Sequence, residues 1–328
     1  MGCIMVTGAT GFLGGNLVAA LAASARTVLA VGRDPQTCAR LRSVGFNVLS
    51  QDLALPLDIS SHPMLGDVNT IVHCAAHSAP FGLPADFVRA NVTVTRNLIE
   101  FARQRNTRRF IYISTPSVYF AFRDQMDVRE DMALPGPVND YARTKRQAEK
   151  LVLAAEDIGP VILRPRGIYG AGDTTLLPRL LKVARKRPLP LFRSGRACID
   201  LTYIDDVVAA IVAALDCDRK VEGEIFNISG GEVLPVQDIV NQACARAGIT
   251  ARWKPASLAP AMIAAGVMEM AARLSPVPFE PPITRYSLGL FAYAQSLDIS
   301  KAQRLLGWKP KTVFEDGVDQ TFKNGEAL

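Results

Sequence analysis

The sequence predicts an α/β protein: a parallel sheet wound with helices on both faces, joined to a smaller, mostly helical lobe toward the C-terminus. Three observations predict it. The chain opens on an apolar run of strand length, Gly2 to Thr7, which passes through Gly8-Ala9-Thr10-Gly11-Phe12-Leu13-Gly14 directly into a helix. Short apolar runs then alternate with helical stretches through the first half, the order of successive βαβ units. From Gly167 onward that alternation loosens, as expected where segments leave a sheet to build a cover over it.

The first helix, from about Phe12 to Ala25, carries Leu13, Leu17 and Leu21 at four-residue spacing, a stripe that packs on a sheet. Gly8 permits a tight turn, Gly11 removes a Cβ that would block a pyrophosphate, and Gly14 lets helix and strand approach. The free N–H groups at the helix start then face the anion. The spacing is G-x-x-G-x-x-G, and its position between strand and helix points to a dinucleotide, with Thr10, Phe12 and Leu13 part of the cradle. Met1 lies almost on the strand, so no signal or transit peptide is expected and the protein is expected to be cytoplasmic.

Thr27 to Val31 reads as the second strand. Nucleotide-binding sheets usually end this strand on an acid that holds the adenosine ribose, whereas here Gly32 and Arg33 follow. Glycine makes room and a guanidinium can take a 2′-phosphate through a charge-assisted bond, so NADP(H) is expected, with Asp34 leaving NAD possible. Pro35 to Val44 reads as a helix and Phe46 to Ser50 as the third strand, with Asp52-Leu53 beside an adenine. Thr70 to Cys74 is a fourth strand, and Ala75-Ala76 after it are small enough for a ribose to approach.

A helix from about Ala85 to Arg105 contains Asn91, whose low propensity in mid-helix suggests a polar task. Arg108 to Ser114, the fifth strand, ends in Ser114-Thr115-Pro116-Ser117, hydroxyls at the carboxyl edge where open α/β sheets bind ligands. Tyr141 and Lys145, four apart on a helix, share one face.

Composition narrows the function. With 328 residues, 49% of them hydrophobic, the chain can bury a large core. The six cysteines are scattered without a C-x-x-C pair, and the three histidines lack ligand-spaced partners, so no disulfide framework and no metal site are expected. The net charge of +6 and a pI near 9.1 raise nucleic acid as a partner. The basic clusters sit at helix ends without interleaved aromatics, so they read as solvated surface. The longest apolar tract, Leu258 to Ala272, is too short for a membrane span and contains Glu269. With Pro276-Val277-Pro278-Phe279 after it, it reads as core packing or as a channel for a hydrophobic substrate.

The glycine turn, Asp52-Leu53, His73-Cys74-Ala75-Ala76, Asn91-Val92 with Asn97-Leu98, the Thr115 segment and the Tyr141–Lys145 pair together resemble the extended short-chain dehydrogenase/reductases. The resemblance continues through Leu163-Arg164-Pro165, Tyr169-Gly170, Thr202 to Asp206, Asn227 to Gly231 and Leu306-Gly307-Trp308, nearly the whole chain. It implies a Rossmann-type domain of residues 1–166 plus 200–229, interleaved with a substrate lobe of 167–199 plus 230–328. Ser114 to Ser117, Arg164-Pro165-Arg166 with Gly172-Asp173, Leu176 to Arg179 and Pro281 to Arg285 are most similar to one group within it. That group holds the 3β-hydroxysteroid dehydrogenases and the bacterial 2-alkyl-3-oxoalkanoate reductases, which act on a secondary alcohol or ketone attached to a bulky apolar body. Phe120 departs from the pattern, where many relatives have glycine.

The resemblance implies Tyr141 as acid in reduction and base in oxidation, Lys145 as holder of the nicotinamide ribose, and Thr115 as hydrogen-bond partner of the substrate oxygen. Ser114 or Ser117 can assist it, Pro116 and Arg166 border the substrate, Pro165 borders the coenzyme, and Asn91 supports the site through water. A tyrosine of pKa about 10 needs roughly 4 kcal/mol to titrate near neutrality. A cation ~4 Å away supplies about that at an effective dielectric of about 20, so Lys145 is expected to lower the phenol.

A nucleotide-sugar epimerase or dehydratase shares the fold and the Tyr–Lys pair. Against it, Ile199 stands where those relatives commonly carry a phosphate-binding arginine, and no Asp-Glu pair follows Thr115. A non-catalytic nucleotide-binding sensor is the third reading. A homodimer through the helices near Ala85 to Arg105 and Asn139 to Glu156 is expected on resemblance.

Overall fold

The computed structural model describes residues 2–275, 277 and 279–323, so Pro276 and Pro278 of the proline-containing stretch lie outside the described residues. Seven strands form the main sheet: β1 (Cys3–Thr7), β2 (Val28–Gly32), β3 (Asn47–Ser50), β4 (Val68–His73), β5 (Arg109–Ile113), β6 (Pro160–Pro165) and β7 (Ile225–Ile228). Every residue of β1, β2, β5 and β6 is buried, the pattern of strands covered on both faces. All pairings in this sheet are parallel and the order is β7-β6-β5-β4-β1-β2-β3. The winding reverses between β1 and β4, which opens a crevice at their carboxyl ends.

Helices α1 (Phe12–Ala23), α2 (Pro35–Ser43), α3 (Val94–Gln104), α4 (Asp140–Leu153), α5 (Leu176–Lys186), α6 (Ile204–Asp216), α7 (Val236–Arg246), α8 (Leu258–Leu274) and α9 (Arg285–Ala292) surround it. On one face Leu17, Val18 and Leu21 of α1 share a core with Val207 and Ile211 of α6. On the other, Leu98 and Phe101 of α3 pack with Ala148 and Val152 of α4. The single helix expected over Ala85 to Arg105 is instead a short turn, Pro84–Phe87, a π-helical segment, Val88–Thr93, and then α3. The widened turn falls at Asn91, and such segments are frequent at functional sites.

A second sheet of four strands takes Val233–Pro235, Cys198–Asp200, Gln295–Leu297 and Gln125–Val128, in that order. Distant parts of the chain thus meet beside the crevice. Asp206 of α6 fastens the C-terminal segment: its carboxylate accepts from the backbone N–H groups of Lys311 (2.9 Å) and Thr312 (3.0 Å), and its carbonyl from the Trp308 indole (3.0 Å).

Helix α4 is fixed to β6 by a buried ion pair. Arg164 meets the Glu149 carboxylate through Nε at 2.8 Å and Nη2 at 2.7 Å and also donates to the Tyr119 hydroxyl. Removing one partner of a buried pair strands the other charge away from water, at a cost of about 3–5 kcal/mol. Glu149→Ala should therefore lower unfolding stability by about that amount in a urea titration, and pairing it with Arg164→Leu should restore most of the loss. An unchanged midpoint in the single variant would show that the pair does not anchor α4.

Candidate active site

The glycine turn is built as its spacing requires. Gly8 has φ +69, and a Cβ there would lie 2.7 Å from the backbone nitrogen of Ala75; a Cβ on Gly14 would lie 2.2 Å from the Gly8 carbonyl oxygen. Both close approaches admit only glycine. Gly11 is the N-cap of α1, no side chain caps that helix, and its first turn carries no acid. The first-turn N–H donors, flanked by Thr10, Phe12 and Leu13, are therefore suited to an anion, and the residues fit a dinucleotide pyrophosphate. Ala75 and Ala76 follow β4 beside this turn, with the Ala75 N–H donating to Thr7 Oγ1 at 3.2 Å.

At the adenosine end the structure departs from the expectation at Gly32. A Cβ on Gly32 would meet Thr10 Cγ2 at 2.4 Å and Cys38 Sγ at 3.3 Å, so the glycine accommodates packed side chains rather than leaving an open space. Arg33 is exposed beside it. Asp34 caps α2 by accepting the Thr37 N–H at 2.7 Å. Asp52 is held below the usual carboxylate range, first by the Ala54 N–H and also by Arg89 at 2.6 Å and the charge of Arg33. The Leu53 carbonyl accepts from Asn97 at 3.0 Å, which fixes the loop after β3.

The second group converges from β5, α4 and α9. Thr115 follows β5 and accepts the Ser117 N–H at 3.2 Å, capping a short helical turn over Pro116–Val118. Its hydroxyl also donates to Ser117 Oγ at 3.0 Å, and Ser117 Oγ lies 2.7 Å from the Tyr286 hydroxyl. Tyr141 lies near enough for the Thr115 hydroxyl to act on its phenol, in the sense that favours ionisation. Thr115 is thus the cap of this turn, and its hydroxyl also meets that of Ser117. Ser117 takes part in this string of hydroxyls, whereas the buried Ser114 Oγ has no partner.

Lys145 sits one turn below Tyr141, 1% exposed, donating to the Ile113 carbonyl at 2.6 Å with its ammonium 4.1 Å from the Tyr112 ring centroid. Burial pushes this lysine down to about 7 while Glu149 acts in the opposite sense. Burial also raises the Tyr141 phenol well above its ordinary value, opposed by the bond from Thr115. The expectation that Lys145 lowers the phenol is corrected here: desolvation dominates at both groups, and the favourable partner of the phenol is Thr115.

Asn91 is 1% exposed: its amide oxygen accepts the His77 N–H at 2.8 Å, and its amide nitrogen donates to the His77 carbonyl at 3.2 Å and Thr144 Oγ1 at 3.0 Å. Through Thr144 it is tied directly to α4, next to Lys145. His73 is fully buried between Thr7 Oγ1 (2.8 Å) and Thr95 Oγ1 (3.1 Å), and burial pushes it down to about 3, a neutral structural ring. Pro165 is buried at the end of β6. Arg166, 8% exposed, lies with Nε 3.4 Å from Asp200 Oδ1; burial raises the Tyr286 phenol above its ordinary value, opposed by Ser117 and by the charge of Arg166.

Tyr286 is the site residue that sequence reading passed over. Its helix begins with a reciprocal Thr284–Ser287 capping box, a legible start signal, but nothing local shows that Tyr286 meets Ser117, 169 residues away. Phe120, the departure from the family pattern, packs edge-on against Tyr286 at 5.2 Å between centroids. Its bulk is met by Gly289, where a Cβ would lie 2.6 Å from Phe120 Cζ. Ile199, on the strand Cys198–Asp200, is part of the apolar packing and offers no charge to a phosphate.

Comparison with known proteins adds to this geometry. The family model described as NAD dependent epimerase/dehydratase family matches residues 4–229. The 2-alkyl-3-oxoalkanoate reductase of Stenotrophomonas maltophilia is 33% identical over 96% of this chain and 97% of its own. The bovine sterol-4-alpha-carboxylate 3-dehydrogenase, decarboxylating, is 27% identical over 80% of this chain and 77% of its own. Among solved structures, the UDP-glucuronic acid 4-epimerase from Bacillus cereus in complex with NAD superposes with a TM-score of 0.76 at 28% identity, covering 98% of this chain and 97% of that one. The chain belongs to the NAD-dependent epimerase/dehydratase family, the extended short-chain dehydrogenase/reductases, and is an oxidoreductase acting on CH–OH groups.

Proposed function

We propose that the protein is a cytoplasmic NADP(H)-dependent oxidoreductase that interconverts a secondary alcohol and a ketone on a hydrophobic 3-hydroxy or 3-oxo compound, steroid-like or β-keto acyl. The observation that carries this reading is the hydroxyl string Thr115–Ser117–Tyr286 at the carboxyl edge of the sheet, with the Tyr141 phenol under the influence of Thr115 and Lys145 one turn below it. A nicotinamide coenzyme, when bound, supplies or accepts the hydride. Gly8, Gly11 and Gly14 with Thr10, Phe12 and Leu13 would hold its pyrophosphate, Asp52 and Leu53 border its adenine, and Ala75, Ala76, Lys145 and Pro165 border its ribose and nicotinamide. Thr115 holds the substrate oxygen and Tyr141 gives it the proton.

A phenol raised by burial stays protonated through the neutral range, so the acid for reduction is present there, whereas the base for oxidation grows only as pH rises. The rate of alcohol oxidation should therefore climb up to about tenfold per pH unit on the alkaline side while ketone reduction stays flat. Tyr141→Phe should lower turnover by about 10²–10⁴-fold, the scale of general acid catalysis, while coenzyme fluorescence still reports binding. Normal turnover in that variant, followed at the nicotinamide band, would sink the reading.

Tyr286 fixes the direction of the string, since Ser117 Oγ has its phenol as partner on the side of the substrate lobe. Tyr286→Phe removes the hydroxyl and keeps the ring against Phe120. It should reduce kcat by about tenfold, the loss of one hydrogen bond of roughly 1.4 kcal/mol, with coenzyme KM unchanged. An unchanged kcat would assign Tyr286 to packing alone.

For the coenzyme, Asp34 is engaged as a helix cap while Arg33 and Arg89 frame the adenosine end. Both favour a 2′-phosphate. Arg33→Ala should raise the KM for NADPH by about tenfold or more, the worth of a charged hydrogen bond, and leave NADH within about twofold. Equal effects on both coenzymes would remove the preference for NADP(H).

The likeness to the UDP-glucuronic acid 4-epimerase favours a second reading, a nucleotide-sugar epimerase. Ile199 and the absence of an Asp-Glu pair after Thr115 weigh against it. Turnover of β-keto esters or steroids against UDP-sugars, measured side by side, decides between them. A homodimer through α3 and α4 accompanies the proposal.

A further inference from the structure

Helix α8 has two apolar faces. One packs on α9: Ala265 is fully buried with Leu288 and Ala292, and Leu258, Ala261 and Met262 join them. The other faces water. Ile263 is 69% exposed, Val267 62%, Met270 63% and Leu274 77%, at spacings of four, three and four residues that place them on one line along the helix. Val277 (71%) and Phe279 (46%) continue the apolar surface past the helix end. The other exposed positions on that side, Ala259, Pro260, Ala264 and Ala271, carry no charge.

Basic side chains lie at both ends of α8. Arg252 and Lys254 precede it and are exposed, Arg273 at its last turn is 59% exposed and pairs with Asp140, and Arg285, across from Gly266, pairs with Glu269. Glu269 is turned inward onto Arg285, which leaves Glu280 as the exposed acid near the patch. An apolar stripe with basic ends is complementary to an anionic bilayer surface. Among the described residues no helix is long and apolar enough to cross a membrane, so the contact would be peripheral.

We infer that the exposed face of α8 docks the protein on an anionic phospholipid bilayer, with Ile263, Val267, Met270 and Leu274 at the headgroup–acyl boundary and the basic ends against lipid phosphates. The docked helix packs on α9, which carries Tyr286, and its Arg273 reaches Asp140 at the start of α4 at 3.4 Å. The bilayer would thus lie one helix away from the hydroxyl string, on the path an apolar substrate takes from lipid.

Cosedimentation of the full chain with vesicles tests this without any substrate. Binding is expected to phosphatidylcholine vesicles containing phosphatidylglycerol, to be much weaker to phosphatidylcholine alone, and to fall as salt rises. Val267→Glu with Met270→Glu should reduce binding by about tenfold or more, since a charge at the interface opposes both contributions. These positions are exposed, so the thermal midpoint should not move. Arg252→Gln with Lys254→Gln should remove the preference for the anionic vesicle while keeping residual binding. Failure of the wild-type chain to bind either vesicle overturns the inference. So does sedimentation velocity showing that the glutamate variant dissociates a dimer, which would make the face a contact between two copies.

Discussion

One line of side chains along α4 sets the geometry of everything around it. Tyr141, Lys145 and Glu149 recur every four residues and point into the molecule, from the crevice down to β6. Each is costly to bury and each is offset by a different element: Glu149 by Arg164 of β6, Lys145 by the carbonyl of Ile113 in β5, Tyr141 by Thr115 beyond it. The carboxylate at the bottom also acts on the ammonium one turn above, opposing the loss of charge that burial imposes. The helix that carries Tyr141 is therefore anchored two turns away, at the buried Arg164–Glu149 pair.

The second half of the chain completes what the sheet begins. Tyr286 arrives on α9, and its ring is held by Phe120, whose volume is admitted by the missing side chain at Gly289. The exchange explains how a bulky residue replaces the glycine found in many relatives: the space comes from the opposing helix. Arg166, placed by β6, closes the far end against Asp200, whose other carboxylate oxygen is taken by Ser229 and the Leu297 N–H. Three separated segments thus wall one end of the string.

What was legible in the sequence was local. The Gly8–Gly14 turn, the fully buried strands and the four-residue spacing of Tyr141 and Lys145 on one helix each follow from a few neighbouring residues. The Asn91 segment was half legible: its poor helix propensity signalled a polar role, but the π-helical turn depends on bonds to His77 and Thr144. Gly32 misled because a missing side chain signals space without saying what fills it; Thr10 does. Tyr286 and the strand Gln125–Val128 were invisible, since both owe their roles to partners some 170 residues away in the chain.

That division between local and distant contributions also separates coenzyme chemistry from substrate choice. The overall fold is similar to that of a UDP-glucuronic acid 4-epimerase at a TM-score of 0.76, and a shared fold does not by itself choose a substrate. Under the proposed function the choice falls to residues from several elements: Ile199 on the smaller sheet, Tyr286 on α9, Phe120 after β5 packed on that tyrosine, and Arg166 after β6. Substrate class in this fold therefore follows from which side chains the second half of the chain presents, and here they are mostly apolar, with two phenols and one guanidinium among them.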